Sequence, residues 1–255
     1  MPLSPPYRAP HPAMRLLKPS ETGQFSLTRD LVGNDSIPPY AILSHTWGSD
    51  NEEATFKDVK NGTAQDKPGY EKIRFCGEQA RRDGLQYFWI DTCCIDKSSS
   101  SELQEAINSM FRWYRNADKC YVYLSDVSTG KKLSWELAFK QSRWFTRGWT
   151  LQELIAPQHV DFFAQDGTRL GSKSNLEITI SNITGISLDV LRGRPLADCT
   201  IKERLTWADS RTTKREEDRV YSLIGIFDVT MPLVYGEGKR KAFMRFYEEI
   251  LKYSK

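Results

Sequence analysis

Four short, nearly uninterrupted apolar runs constrain this chain more than any other feature. They are Tyr40–Ser44, Tyr87–Asp91, Cys120–Leu124 and Val160–Phe163. Each is too brief for a helix and too continuous for a strand with one wet face, so each reads as a strand buried on both sides. Helical signals fall between them. Tyr70–Arg82 runs up to Gly84, which suits a left-handed C-cap. Leu103, Ala106, Ile107, Met110, Phe111 and Tyr114 recur at helical spacing after the serine run Ser98–Ser101, in which Ser101 with Gln104 fits a capping box. Ser142–Leu154 reads as a turn into a further helix, stopped by Pro157. Strand and helix therefore alternate, which predicts an α/β fold with a mainly parallel sheet flanked by helices on both faces.

The strand signal fades after residue 174. Leu176–Ile183, Ile201–Asp209, Arg215–Phe227 and Lys239–Leu251 read as helices. No Pro/Gly/Ser linker separates them from the rest, so they are expected to form a C-terminal helical extension packed on the sheet. The organisation expected is a loose leader over 1–13, carrying Pro2, Pro5, Pro6, Pro10 and Pro12, and one domain over 14–255. Within it, 14–173 is the α/β core and 174–255 the helical addition.

Composition closes off other classes. Lys and Arg total 36 against 33 Asp and Glu, a net charge of +3, which is too balanced for a dedicated nucleic-acid or polybasic membrane binder. No apolar run approaches the roughly 18–20 residues of a membrane span. The first residues lack the apolar stretch of a signal peptide. The five cysteines are odd in number and include the adjacent pair Cys93 and Cys94. Together these features predict free thiols in a cytoplasmic protein.

In open parallel sheets ligands bind outside the carboxyl ends of the strands. Those ends carry Ser44, His45, Thr46 and Trp47, then Asp91 to Cys94, then Ser125 and Asp126. The turn after the third strand adds Ser142, Arg143, Trp144, Arg147 and Trp149, followed by Glu153. Structural roles compete for every one of these. Ser44 and Asp91 equally suit loop caps, His45 a satisfied semi-buried histidine, and Trp89, Trp113, Trp144 and Trp149 the core. Glu153 would be an ordinary helix carboxylate but for Leu151, Leu154 and Ile155 around it, an apolar setting that points to function. A Cys93 or Cys94 nucleophile with His45 as base is disfavoured by the apolar flanks Ile90 and Ile95. No ligand spacing suits zinc, and no phosphate-binding glycine loop is present.

Several long motifs give these residues a family likeness. Tyr40 to Gly48 with Glu52-Glu53, Trp89 to Asp96 through Ala106–Met110, and Arg147 to Leu154 resemble, in order, the motifs of the fungal heterokaryon-incompatibility (HET) domain. Arg211-Thr212-Thr213, Glu217-Asp218 and Tyr235-Gly236-Glu237-Gly238 resemble its C-terminal signatures. The likeness runs from Leu16 to Ile250. It implies a cytoplasmic domain of fungal allorecognition, innate immunity and regulated cell death, joined at its C-terminus to NLR-type receptor domains.

The order of elements up to residue 173 also resembles a TIR domain, with its flavodoxin-like sheet. Trp149-x-x-x-Glu153 is similar to the spacing that carries the catalytic glutamate of NAD-cleaving TIR domains. That resemblance implies an NAD glycohydrolase active when self-associated into oligomers, with NAD as substrate and neither cofactor nor metal. Glu153 would be catalytic. Ser44, His45, Trp47, Asp91, Arg143, Trp144, Arg147 and Trp149 would bind the substrate. The competing expectation is a non-catalytic module that kills by assembly and recruitment.

Overall fold

The computed structural model describes residues 13–20, 23–32, 37–130 and 134–253; apart from Ala13, the expected leader lies outside them. Among the described residues seven strands pair into one sheet. They are β1 (Leu17–Pro19), β2 (Phe25–Leu27), β3 (Tyr40–His45), β4 (Tyr87–Trp89), β5 (Lys119–Leu124), β6 (Val160–Ala164) and β7 (Arg169–Ser172). The helices are α1 (Phe56–Asn61), α2 (Tyr70–Arg82), α3 (Asp91–Cys94), α4 (Ser100–Asn116), α5 (Trp135–Lys140) and α6 (Thr150–Ile155). α7 (Glu177–Thr184), α8 (Leu188–Leu191), α9 (Ile201–Thr206), α10 (Asp218–Tyr221) and α11 (Lys239–Tyr253) follow. No helix among the described residues is long and apolar enough to cross a membrane.

The sheet order is β2-β1-β4-β3-β5-β6-β7. β3 pairs in parallel with β4 and β5, and β5 with β6. These are the four strands expected from the apolar runs, and all six residues of β3 are buried. The chain passes from β3 through α2 to β4 on one side, then through α4 to β5 on the other. Right-handed crossovers in opposite directions place α2 and α4 on opposite faces. The order reverses between β3 and β5, so the crevice of a flavodoxin-like sheet opens at the carboxyl ends of those two strands.

The structure adds three short strands to the expected sheet and corrects the sequence reading in three places. The sheet is mixed, because β1 runs antiparallel to β2 and β4, and β7 antiparallel to β6. These flanking strands are three or four residues long, with only Leu17 and Gly171 buried among their positions, so they carry no apolar run to find. The second strand stops at Trp89, and Asp91 instead opens the single turn α3, in which Cys94 N donates to Ile90 O at 2.9 Å. The N-cap of α4 is Ser99, whose hydroxyl accepts from Glu102 N at 3.3 Å, so no Ser101–Gln104 box forms. Arg215–Phe227 yields only the four residues of α10 and then turns.

The C-terminal extension packs tightly on α4. Asn108 exchanges two hydrogen bonds with the backbone of Met231, at 3.2 and 3.1 Å. Gly225 lies so near α4 that a Cβ there would stand 2.2 Å from Phe111 Cβ. The obstacle is the root of a side chain on a helix, which cannot swing aside. Gly225→Ala is therefore expected to destabilise the protein by about 1–3 kcal/mol, read as a lowered melting temperature. An unchanged melting temperature would show that the extension is not seated on α4 in this way.

Candidate active site

Ser44 is the fifth residue of β3 and is fully buried. The indole Nε1 of Trp144 donates to Ser44 Oγ at 2.8 Å, and Ser44 Oγ in turn donates to Glu153 Oε2. Trp144 is itself fully buried, edge-on against Phe145 and Phe162. It cannot stack on a ligand, contrary to the expectation. Its role is to give the core an aromatic anchor whose N–H is satisfied by fixing Ser44.

Glu153 sits on α6 between the fully buried Leu151 and Leu154 and is 7% exposed. Burial pushes its pKa up to about 8; the nearby Asp91 charge acts in the same direction, while hydrogen bonds from Ser44 and Tyr114 and the Arg211 charge oppose it. Near neutral pH the carboxyl of the free protein is mostly protonated, and it is poised to ionise when a positive charge arrives.

His45 follows Ser44 and turns into the same region. Its Nδ1 lies 3.9 Å from Asp91 Oδ1 and its Nε2 3.8 Å from Glu53 Oε2. Burial alone would raise the Glu53 pKa, but His45 and Lys72 hold it down at about 2. Glu53 also accepts from Gly48 N at 2.6 Å, which folds the loop after β3 back over the strand end. Asp91 pairs with Lys97 at 3.2 Å, and Lys97 Nζ rests 3.7 Å above the half-exposed Trp47 ring.

A cavity of about 250 Å³ opens among these groups. His45, Trp47, Asp91, Arg147, Trp149 and Glu153 line it, as the sequence suggested. Ser44 lies beneath Glu153 rather than in the lining. Arg143 is outside it, with its guanidinium 3.1 Å from Ser125 Oγ and its backbone N 2.8 Å from Asp126. α4 supplies an apolar side through Leu103, Ile107, Met110 and Tyr114.

The remaining wall comes from residues to which sequence reasoning gave no role: Lys214, Arg215, Asp218 and Tyr235. They neighbour the Arg211-Thr212-Thr213, Glu217-Asp218 and Tyr235–Gly238 motifs, which were the available signal. Arg211 is buried and ties this segment to α6. It donates to Arg147 O at 2.8 Å and Thr150 Oγ1 at 2.9 Å. Thr212 N donates to Thr146 O at 2.6 Å and Gly148 N to Thr212 O at 2.9 Å. All five cysteines are free and buried, and burial pushes the Cys93 thiol well above its usual range, away from nucleophilic use. Among the described residues no group of three or more His, Cys, Asp or Glu side chains is placed to hold a metal ion.

Residues 40–136 match the family model described as "Heterokaryon incompatibility protein (HET)". Over 242 residues the chain is 59% identical to the vegetative incompatibility protein HET-E-1 of Podospora anserina. That alignment takes in 93% of this chain and 18% of that protein, so the chain spans less than a fifth of its relative's length. No solved structure matches it significantly.

The raised Glu153 pKa sets a stability trend. Between the ordinary carboxylate range and about pH 8 the folded protein holds a proton that the unfolded chain has released. Glu153 thus contributes stability that is fully present at low pH and is lost as pH rises to about 8, at about 1.4 kcal/mol per pH unit. Glu153→Gln lacks this slope. Its stability relative to wild type is expected to improve steadily from pH 5 to pH 8 in denaturant titrations. Parallel curves for the two proteins would contradict the burial assigned to Glu153.

Proposed function

We propose that this chain, which carries a heterokaryon-incompatibility (HET) domain, hydrolyses NAD at the nicotinamide–ribose bond and thereby executes cell death in fungal allorecognition. The observation that carries the reading is the buried Glu153 carboxyl beside Asp91, in a cavity at the point where the sheet order reverses. Such crevices are where doubly wound sheets bind nucleotides.

The chemistry needs little more than a placed negative charge. As the bond between ribose C1′ and the pyridinium nitrogen breaks, the nitrogen keeps the electron pair and nicotinamide leaves neutral. Positive charge builds on the ribose, and a carboxylate already in place stabilises it without reorganisation. The cationic pyridinium ring favours ionisation of Glu153 on binding, which converts its raised pKa into a response to substrate. Water then adds at C1′ and gives up a proton, which Asp91, a further carboxylate lining the cavity, accepts. His45, between Glu53 and Asp91, orients Asp91. Trp149 and the apolar side formed by α4 offer surfaces for the nicotinamide ring, and Arg147 a cation for phosphate. In this reading the domain works within a larger receptor and acts once self-associated.

One observation favours assembly. α11 exposes Phe243, Met244, Tyr247 and Leu251, which recur at helical spacing along one side. A domain that kills by recruitment alone would use such a stripe and would release no nicotinamide.

The test is nicotinamide release from NAD by the purified protein, fused to an inducible oligomerisation module. Glu153→Gln keeps the size of the side chain and removes its charge, so it is expected to lower turnover by about a hundredfold or more while the protein stays folded. Because the ionised form is required, kcat/KM of the wild type is expected to climb with pH to an inflection near 8. Wild-type turnover in a folded Glu153→Gln protein would end the proposal.

A further inference from the structure

We infer that Arg215 and Arg147 together clamp the phosphates of the ligand at the solvent side of the cavity, so that the C-terminal segment forms part of the binding site. This rests on the reading of the cavity as a nicotinamide-nucleotide pocket and names the groups that would hold its anionic half.

Four cations line the cavity: Lys97, Arg147, Lys214 and Arg215. Two are already neutralised, Lys97 by Asp91 at 3.2 Å and Lys214 by Asp50 at 2.7 Å. Among the described residues neither Arg147 nor Arg215 makes a salt bridge. The Arg215 guanidinium carbon lies over the Tyr235 ring, 4.2 Å from its centroid. A guanidinium held over an aromatic ring by cation–π attraction still has N–H donors for a second partner, and its fork of donors suits phosphate.

The support beneath Arg215 is built. Tyr235 donates to Asp218 at 3.0 Å, and Glu217 accepts from Gly236 N at 2.8 Å and Gly238 N at 3.1 Å. The hydrogen bonds linking Thr212 with Thr146 and Gly148 fix the strand of chain bearing Arg215 beside the one bearing Arg147.

Size points the same way. About 250 Å³ falls below the roughly 300–1,000 Å³ that encloses a drug-sized ligand, so the cavity takes one end of a dinucleotide. With the ribosyl end at the buried Glu153, the phosphates emerge where Arg215 is exposed. Arg143, engaged with Ser125 outside the cavity, is not available for this role.

The experiment is calorimetric binding of ADP-ribose, which has both phosphates but no bond to cleave, and of nicotinamide riboside, which has no phosphate. Arg215→Gln is expected to weaken ADP-ribose binding about 10- to 100-fold, the usual worth of a hydrogen bond to a charged group. Arg215→Lys is expected to recover part of it, and riboside binding and melting temperature to stay unchanged in both. The clamp is overturned if wild type does not bind ADP-ribose, if Arg215→Gln binds it as wild type does, or if riboside affinity falls equally. A protein that shows the clamp pattern yet never releases nicotinamide keeps the clamp and loses the cleavage reading. One that cleaves NAD but binds ADP-ribose independently of Arg215 keeps the reaction and loses the clamp.

Discussion

The hydrogen-bonded chain from Trp144 through Ser44 to Glu153 is the interaction on which the rest of the site depends. A carboxyl group at 7% exposure is costly to bury unless its oxygens are satisfied, and costlier still when ionised. The core meets that cost by turning a fully buried indole toward a strand serine, which fixes the serine hydroxyl beneath the acid. The arrangement joins three elements: β3, the turn before α6, and α6 itself. Burial outweighs the nearby Arg211 charge, so Glu153 stays protonated near neutrality and is ionisable when a further positive charge arrives.

α6 is six residues long, too short to be stable by its own hydrogen bonds. Two buried cations hold its ends. Arg211 binds the Arg147 carbonyl and the Thr150 hydroxyl at the start. At the finish Lys173 donates to Pro157 O at 2.6 Å and Leu154 O at 3.4 Å. Burial lowers the Lys173 pKa to about 8, the expected signature of an ammonium satisfied by carbonyls rather than by an anion. Glu153 is thus positioned from both sides by chain that follows it. Arg211 belongs to the C-terminal extension, which is a working part of the site and not a decoration on the sheet.

The sequence made the central sheet and one half of the cavity legible because both rest on local patterns. Continuous apolar runs mark strands buried on two faces, and strand ends in such sheets point to His45, Asp91 and the Arg147–Glu153 stretch. Three flanking strands stayed hidden because segments of three or four residues with few buried positions carry no period. The roles of Trp144 and Arg143 were misassigned because a residue type does not say which way a side chain turns. Trp144 faces the core and Arg143 faces Ser125. The wall made of Arg215, Asp218 and Tyr235 was visible as motifs without a place, since nothing local shows that a segment more than sixty residues after α6 returns to lie against its N-terminal end.

The claim at the centre of this account is that the buried Glu153 carboxyl changes charge in response to a cationic ligand. Difference infrared spectroscopy reads that change directly, with the carboxyl band assigned by its loss in Glu153→Gln. In the free protein the band is expected to titrate with a pKa of about 8. On binding a positively charged imino-sugar mimic of the ribosyl cation, the group is expected to ionise well below that pH. A carboxyl already ionised at pH 6 in the free protein, or one whose titration ignores the mimic, would contradict it.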